Sequence, residues 1–156
     1  MPKNKKTYLI LADDSEEFAV ALHYAAVSGR IKYANVAVLR VLAETEFQPW
    51  GGVEERMKAE QMEEAEAQMA AVADKVEAVH GDRPQILIEE GAKAEAVIRV
   101  LENDKVITKL ILAGSTNPSG PGPLIEYFAG HGIEELNVPL VIVPGHLSEE
   151  QIEGLI

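Results

Sequence analysis

Short apolar runs alternate with longer amphipathic stretches along this chain. Five of the runs have the length and the β-branched or Leu-rich composition of strands, and Gly, Pro or charged residues bound each of them. These predicted strands are Thr7–Ala12, Val36–Leu42, Gln85–Ile88, Leu110–Ala113 and Leu140–Val143. Because apolar residues are nearly continuous within each run, the pattern predicts strands covered on both faces, as in a parallel sheet.

The stretches between these runs carry apolar residues at helical spacing. The first apolar stripe spans Phe18–Ala26, and its helix is predicted to end at Gly29. Asp14 and Ser15 are interpreted as capping residues at its start, and Asp14 and Glu17 have the spacing of a capping box. Further helices are predicted at Glu54–His80, around Ala94–Leu101, within Pro123–Leu136, and as a short acidic helix capped by Ser148.

Strands that alternate with helices in this way predict an α/β fold. The expected architecture is an open, mostly parallel five-stranded sheet with helices on both faces and right-handed crossovers. At 156 residues, one domain is the expectation, with a core over about residues 7–144 and an acidic tail over 145–156.

The composition excludes several classes of function. The formal net charge of −12 repels nucleic-acid phosphates and anionic lipid, so neither nucleic acid nor membrane is an expected partner. The absence of cysteine excludes disulfides, thiolate zinc sites and cysteine nucleophiles. No apolar stretch approaches the roughly 20 residues of a membrane span or forms a signal peptide, so a cytoplasmic location is expected.

Candidate binding residues follow the first strand. In open α/β sheets, ligands bind beyond the carboxyl ends of the strands, where the strand order reverses. Asp13 lies at such an end and has two interpretations: it accepts hydrogen bonds from a ribose hydroxyl or a metal-bound water, or it helps to cap the following helix. The residue alone does not distinguish them.

The segment Gly114–Gly122 is the second candidate. Its small residues allow a ligand to approach the backbone, the helix that follows offers free N–H groups to an anion, and Ser115 and Thr116 add hydroxyl groups. Three prolines nearby lack an N–H group, and no Lys or Arg occurs after Lys109. A stiff, proline-rich turn without a ligand is therefore an equal alternative.

The chain as a whole resembles the universal stress proteins, a family of small α/β domains in which many members bind ATP. The matching features are Asp13-Asp14-Ser15-Glu16 after the first strand, the long acidic second helix, Leu110–Ser115 and Val138–Pro144, in the family's order and spacing. The resemblance covers about Tyr8 to Pro144. It implies a Rossmann-like sheet of the adenine-nucleotide α-hydrolase type.

The resemblance also implies a ligand, ATP or AMP with Mg²⁺, and a set of residues that bind it. The family's nucleotide motif is Gly-x2-Gly-x9-Gly followed by Ser or Thr. Here Gly114 matches the first glycine, Asn117 occupies the second position, and a glycine follows only at Gly120. Counted from Gly120, the third glycine is Gly130, and His131 occupies the Ser or Thr position, where a protonated imidazole would supply positive charge. The implied binding residues are Ala12 and Asp13 at the ribose or adenine, Val41 on the adenine, and Gly114, Ser115, Thr116, Gly120, Gly130 and His131 around the phosphates.

Three functions remain open at this point. The first is a stress-response module that binds ATP or AMP, and the second is a nucleotide-independent regulatory dimer that binds a protein partner. An enzyme ranks last, with weak ATP hydrolysis at most, because no nucleophile and base occur together. The resemblance implies a homodimer through Leu140–Val143. The segment Phe47–Trp50 is interpreted as a lid, a partner contact or a local cluster, and His23 and His80 as helix-surface residues.

Overall fold

The computed structural model describes residues 5–43 and 53–156. Its elements are β1 Thr7–Ala12, α1 Glu16–Lys32, β2 Asn35–Leu42, α2 Val53–His80, β3 Gln85–Glu90, α3 Lys93–Asn103, β4 Ile107–Gly114, α4 Pro123–Ala129, a 3₁₀ helix His131–Glu135, β5 Leu140–Pro144 and α5 Glu149–Leu155. All five predicted strands are therefore present, most of them slightly longer than expected. The Phe47–Trp50 segment lies outside the described residues.

The five strands form one sheet in the order β3-β2-β1-β4-β5, and every neighbouring pair is parallel. In the middle of the sheet, Ile10 of β1 lies opposite Val38 of β2 and Ile111 of β4. The predicted α/β fold class is confirmed, and the sheet is entirely rather than mostly parallel.

The central strand β1 is buried on both faces, as its uninterrupted apolar sequence requires. Ile10 packs in a core with residues of α1 and α2, such as Phe18 and Met69. Leu9 packs in a second core with residues of α3 and α4, such as Val97. Since each large apolar side chain stabilises the fold by about 1.5–3 kcal/mol when buried, these two layers hold the helices against the sheet.

The predicted start of α1 is confirmed in part. Ser15 is the N-cap, as predicted, and its hydroxyl accepts a hydrogen bond from the Phe18 N–H at 3.3 Å. The predicted Asp14–Glu17 capping box is wrong, because the Asp14 carboxylate instead pairs with Arg40 of β2 at 3.1 Å.

The predicted helix end at Gly29 is also wrong. Helix α1 continues to Lys32 and ends at Tyr33, which adopts a left-handed conformation with φ of 57°. Gly29 is buried inside the helix, where an added Cβ would lie 3.1 Å from atoms of Ala34, Val36 and His80. This glycine therefore serves close packing and does not stop the helix.

His80 is buried, so the prediction that it lies on a helix surface is wrong. Its Nδ1 accepts the Asp82 N–H at 3.2 Å, which leaves Nε2 to donate to the Ala34 carbonyl at 2.7 Å. Both ring nitrogens are satisfied, which explains how a histidine fits inside the protein. The His23 side chain is only 10% exposed, and its Nε2 lies 3.3 Å from Glu153 of α5.

The C-terminal part follows the predicted pattern more closely. The predicted helix within Pro123–Leu136 is divided at Gly130 into α4 and the 3₁₀ helix. The predicted cap of α5 is confirmed, since Ser148 and Gln151 form a reciprocal capping box. Over residues 5–43 and 53–156, no helix combines the length and the apolarity needed to cross a membrane.

Two helical glycines provide a test of this packing. Gly29→Ala should destabilise the protein by about 1–3 kcal/mol, because the added methyl overpacks the contact between α1 and the ends of α2 and β2. Gly154→Ala in α5 is the matched control, since nothing lies within 4 Å of its Cβ position. It should leave stability unchanged or raise it by up to about 1 kcal/mol. Urea denaturation of both variants measures the difference, and equal stabilisation would contradict the packing role of Gly29.

Candidate functional site

The strand order changes direction between β1 and β4, and a cavity of about 440 Å³ lies beyond the carboxyl ends of these two strands. This is the position at which open α/β sheets bind ligands. We call it the larger cavity, as the larger of the two that Asp13 and Lys93 both line, although a groove between α1 and α2 has a greater volume, about 610 Å³. It is lined by Leu11, Asp13, Ser15 and Glu17 after β1, by Lys93 and Ala94 of α3, by Leu112, Ala113, Ser115, Pro121 and Gly122 around β4, and by Pro123, Leu124, Ile125 and Tyr127 of α4.

A second cavity, of about 290 Å³, lies beyond the ends of β1 and β2. We call it the smaller cavity. Its lining consists of Ala12, Asp13, Asp14, Arg40, Val41, Leu42, Ala43, Gly91 and Lys93. Since Asp13 and Lys93 line both cavities, the two spaces adjoin and form one cleft across the switch point.

The Asp13 carboxylate is held in place by the residue that caps α1. Its Oδ1 accepts the Ser15 N–H at 2.8 Å and also the Ser15 hydroxyl. Within the described part of the chain, these bonds leave Oδ2 of Asp13 without a protein donor. Asp13 therefore braces the N-cap and also presents one carboxylate oxygen to the cleft, so its two interpretations are compatible.

The loop after β4 satisfies several of its own backbone groups. The Ser115 N–H donates to the Pro121 carbonyl at 3.1 Å, the Asn117 N–H to the Ser115 hydroxyl at 3.1 Å, and the Gly120 N–H to the Asn117 carbonyl at 3.0 Å. The loop is therefore closed on itself by hydrogen bonds. The N–H groups of Thr116, Ser119 and Gly122 have no acceptor within the described residues and remain available to a ligand.

The nine residues implied by the resemblance separate into two groups. Ala12, Asp13, Val41 and Ser115 line the cleft. The other five line neither cavity: Gly114, Thr116, Gly120, Gly130 and His131. Gly114 is buried, and a Cβ there would lie 3.1 Å from Ile142 of β5, so this glycine brings β4 and β5 together. Gly130 and His131 are exposed at the junction of α4 and the 3₁₀ helix.

Lys93 is the cation that the sequence analysis missed. It is the first residue of α3 and lines both cavities. Gly91, with φ of +118°, turns the chain at the end of β3, and its N–H donates to the Leu42 carbonyl at 2.9 Å. A search for basic residues in the loops after the predicted strands would have included Lys93 among its candidates, because the carboxyl ends of all parallel strands lie on the same side of the sheet. The strand order is then needed to place it in the cleft.

Tyr127 forms a rigid wall of the larger cavity. Its hydroxyl donates a hydrogen bond to the Glu135 carboxylate, and this bond raises the pKa of Tyr127 above its ordinary value. Its ring packs against Gly132, where a side chain would collide with it, and meets Phe128 edge-on at 5.2 Å between centroids. The phenol is thus neutral at physiological pH and fixed in orientation.

Arg40 and Asp14 form an ion pair at the rim of the smaller cavity. The Nη1 of Arg40 lies 3.1 Å from Oδ1 of Asp14, and Nη2 lies 3.4 Å from Oδ2, so the contact is bidentate. The Arg40 side chain is 17% exposed and that of Asp14 is 82% exposed. Each residue neutralises the other, and Asp13, Glu17 and Lys93 carry the remaining formal charges along the cleft.

The solved structures most useful for comparison share this fold at low sequence identity. The universal stress protein UspA from Lactobacillus plantarum has a TM-score of 0.73 at 14% identity, covering 89% of this chain and 97% of its own. The hypothetical protein MJ0577 has a TM-score of 0.73 at 24% identity, covering 92% and 99%. A universal stress protein in complex with cAMP has a TM-score of 0.68 at 15% identity, covering 90% and 97%.

At the level of sequence, no curated protein matches the chain significantly. The model of the universal stress protein family matches residues 5–144, which include every strand and the whole cleft. The family suggested by the opening residues, the acidic helix and the last two strands is thereby confirmed. The chain belongs to the universal stress protein family.

Proposed function

We propose that the cleft binds an adenine nucleotide as part of a stress-response function. The observation that carries this proposal is the pair of adjoining cavities that share one carboxylate, Asp13, and one cation, Lys93. The cavity of about 440 Å³ lies within the usual range of small-ligand sites, roughly 300–1,000 Å³.

The lining suggests how the nucleotide lies. The adenine occupies the smaller cavity against Val41, whose side chain is apolar and largely buried. The ribose lies at the shared boundary, where the free oxygen of Asp13 accepts its hydroxyl groups. The phosphate extends into the larger cavity beside Ser115 and Lys93. Base, sugar and phosphate each thus meet groups of matching chemistry.

The relatives support the proposal in two ways. The family match extends over the whole cleft. One structural neighbour is described as a complex with cAMP, an adenine nucleotide. Asp13 and Glu17 both line the larger cavity, and Mg²⁺ is commonly held by one or two carboxylates together with phosphate oxygens. Glu17 would contact an Mg²⁺ ion that enters with the nucleotide, since the free oxygen of Asp13 is assigned to the ribose, and the ion would offset part of the phosphate charge.

Asp13 provides the direct test. Asp13→Ala should weaken nucleotide binding about ten-fold or more, because a hydrogen bond to a charged group contributes about 1.5–3 kcal/mol. Isothermal titration calorimetry with AMP, cAMP and ATP, on protein stripped of co-purified ligand, measures the change. Adenosine should lose affinity as well, since the contact is with the ribose.

Asp82→Ala is the matched control for this experiment. Asp82 is exposed and precedes β3, so it lies at the opposite edge of the sheet from the cleft. The Asp82→Ala variant should bind every ligand with the same affinity as the unaltered protein. If no adenine ligand bound at millimolar concentration, the proposal would fail, and the self-bonded loop after β4 would favour a nucleotide-independent regulatory protein.

We also propose that the protein forms a homodimer through β5. This strand pairs with β4 on one side and is at the edge of the sheet on the other. Its Ile142 is 42% exposed, which is high for a large apolar side chain on a strand. An unpaired edge with an exposed apolar residue is a favourable surface for a second copy of the same strand.

Ile142→Lys should therefore shift the protein from dimer to monomer, because the lysine places a charge in the apolar contact. Sedimentation velocity at micromolar concentration measures the change. Ile133→Lys is the control: Ile133 is 58% exposed but lies in the 3₁₀ helix, outside the sheet. A single monomeric species for the unaltered protein would reject the dimer.

A further inference from the structure

The charges inside the cleft bear on which adenine nucleotide it accepts, a question that rests on the proposed function. The larger cavity is lined by two carboxylates, Asp13 and Glu17, and by one cation, Lys93. Within residues 5–43 and 53–156, no ion pair neutralises either carboxylate. The phosphate therefore enters a space whose own formal charge is negative.

Glu17 is held in this position by close packing. It belongs to the first turn of α1, and its Cβ and Cγ lie directly against Gly145, so that any side chain at Gly145 would collide with them. The Gly145 N–H donates to the Gly114 carbonyl at 2.8 Å, which fixes Gly145 at the end of β4. The Glu17 carboxylate consequently remains beside the loop where the phosphates would extend.

That loop offers little to offset the negative charge. The N–H groups of Ser115, Asn117 and Gly120 bind acceptors within the loop, and proline at 118, 121 and 123 supplies no N–H. Between residues 115 and 123, the N–H groups without an acceptor in the described part of the chain are those of Thr116, Ser119 and Gly122, and none of these residues carries a positive charge. Glu126 adds a further carboxylate, which lies next to Gly120. Lys93 can offset the single charge of the cyclic phosphate in cAMP and at least half of the charge on the AMP phosphate, whereas each additional phosphate brings charge that no second cation among the described residues of the larger cavity offsets.

We propose that the cleft selects adenine monophosphates, cyclic or open, over free ATP, and that Glu17 is the residue that enforces the selection. An unpaired carboxylate repels every phosphate group that lies near it, so the repulsion grows with the number of phosphates on the ligand. In metal-free buffer of low ionic strength, AMP or cAMP should therefore bind about ten-fold or more tightly than ATP.

The experiment is calorimetry on the full chain, stripped of ligand, in the presence of a chelator, with adenosine, AMP, cAMP and ATP. Glu17→Gln should lower the ratio of AMP affinity to ATP affinity about ten-fold, mainly because the variant binds ATP more tightly. Glu16→Gln is the matched control: Glu16 lies in the same turn of α1 but is exposed and does not line the cleft. The ratio should stay unchanged in that variant.

Lys93→Gln separates the phosphate contact from the rest of the site. It should weaken the binding of AMP and cAMP about ten-fold and leave the affinity for adenosine constant. The control is Lys105→Gln, at an exposed residue before β4, which should leave the affinity for all three ligands unchanged. Melting curves of every variant establish that each one folds.

The outcomes distinguish this inference from the function on which it rests. ATP binding as tightly as AMP without metal would overturn the selectivity while leaving nucleotide binding intact. An unchanged ratio in Glu17→Gln would overturn the role of Glu17. If none of the four ligands bound, adenosine included, both the proposed function and the proposed selectivity would be rejected.

Discussion

The parallel pairing of β1 with β2 on one side and with β4 on the other is the constraint from which the cleft arises. From β1 the chain passes through α1 to β2, and from β3 it passes through α3 to β4. Helices α1 and α3 pack on opposite faces of the sheet. The loops after β1 and β4 therefore diverge, and the space between them is the larger cavity.

Much of this architecture was predictable because it depends on short-range hydrophobic patterns. A buried parallel strand has to be apolar along its whole length, so TYLILA at Thr7–Ala12 identifies β1 without reference to the rest of the chain. The capping of α5 by Ser148 is equally local, since all its partners lie within three residues.

Contacts between distant parts of the chain were not predictable in the same way. Gly29 has the sequence signature of a helix end, but its role is set by His80 and Val36, which reach it only in the folded protein. Asp14 has the spacing of a cap, yet Arg40, 26 residues away, takes its carboxylate. In each case a tertiary contact overrides the local preference. Lys93 was missed for the same reason, since its place in the cleft depends on the strand order.

The nucleotide motif is a further case in which a local sequence pattern does not determine where its residues lie in the fold. In the sequence, Gly114, Gly120 and Gly130 suggest one phosphate-binding loop, although only Gly120 and Gly130 have the spacing of the family motif. In the structure, Gly114 packs against Ile142, Gly120 lies beside Glu126, and Gly130 is exposed at the end of α4. The three glycines thus lie in three separate environments and do not form one phosphate-binding loop. The proposed binding site rests on the charged residues that line the cleft and not on these glycines.

The charge of the whole chain and the charge of the cleft also have different consequences. The net charge of −12 is distributed largely over exposed surface such as the acidic face of α2, where Glu60, Glu63 and Glu66 meet solvent. At physiological ionic strength, charges more than about 8 Å away through solvent are largely screened. A long polyanion such as a nucleic acid would meet this surface over its entire length, whereas a nucleotide in the proposed site would interact mainly with Asp13, Glu17 and Lys93. The acidity of the whole chain is therefore compatible with the proposed site, because the charges that matter there are those of the cleft.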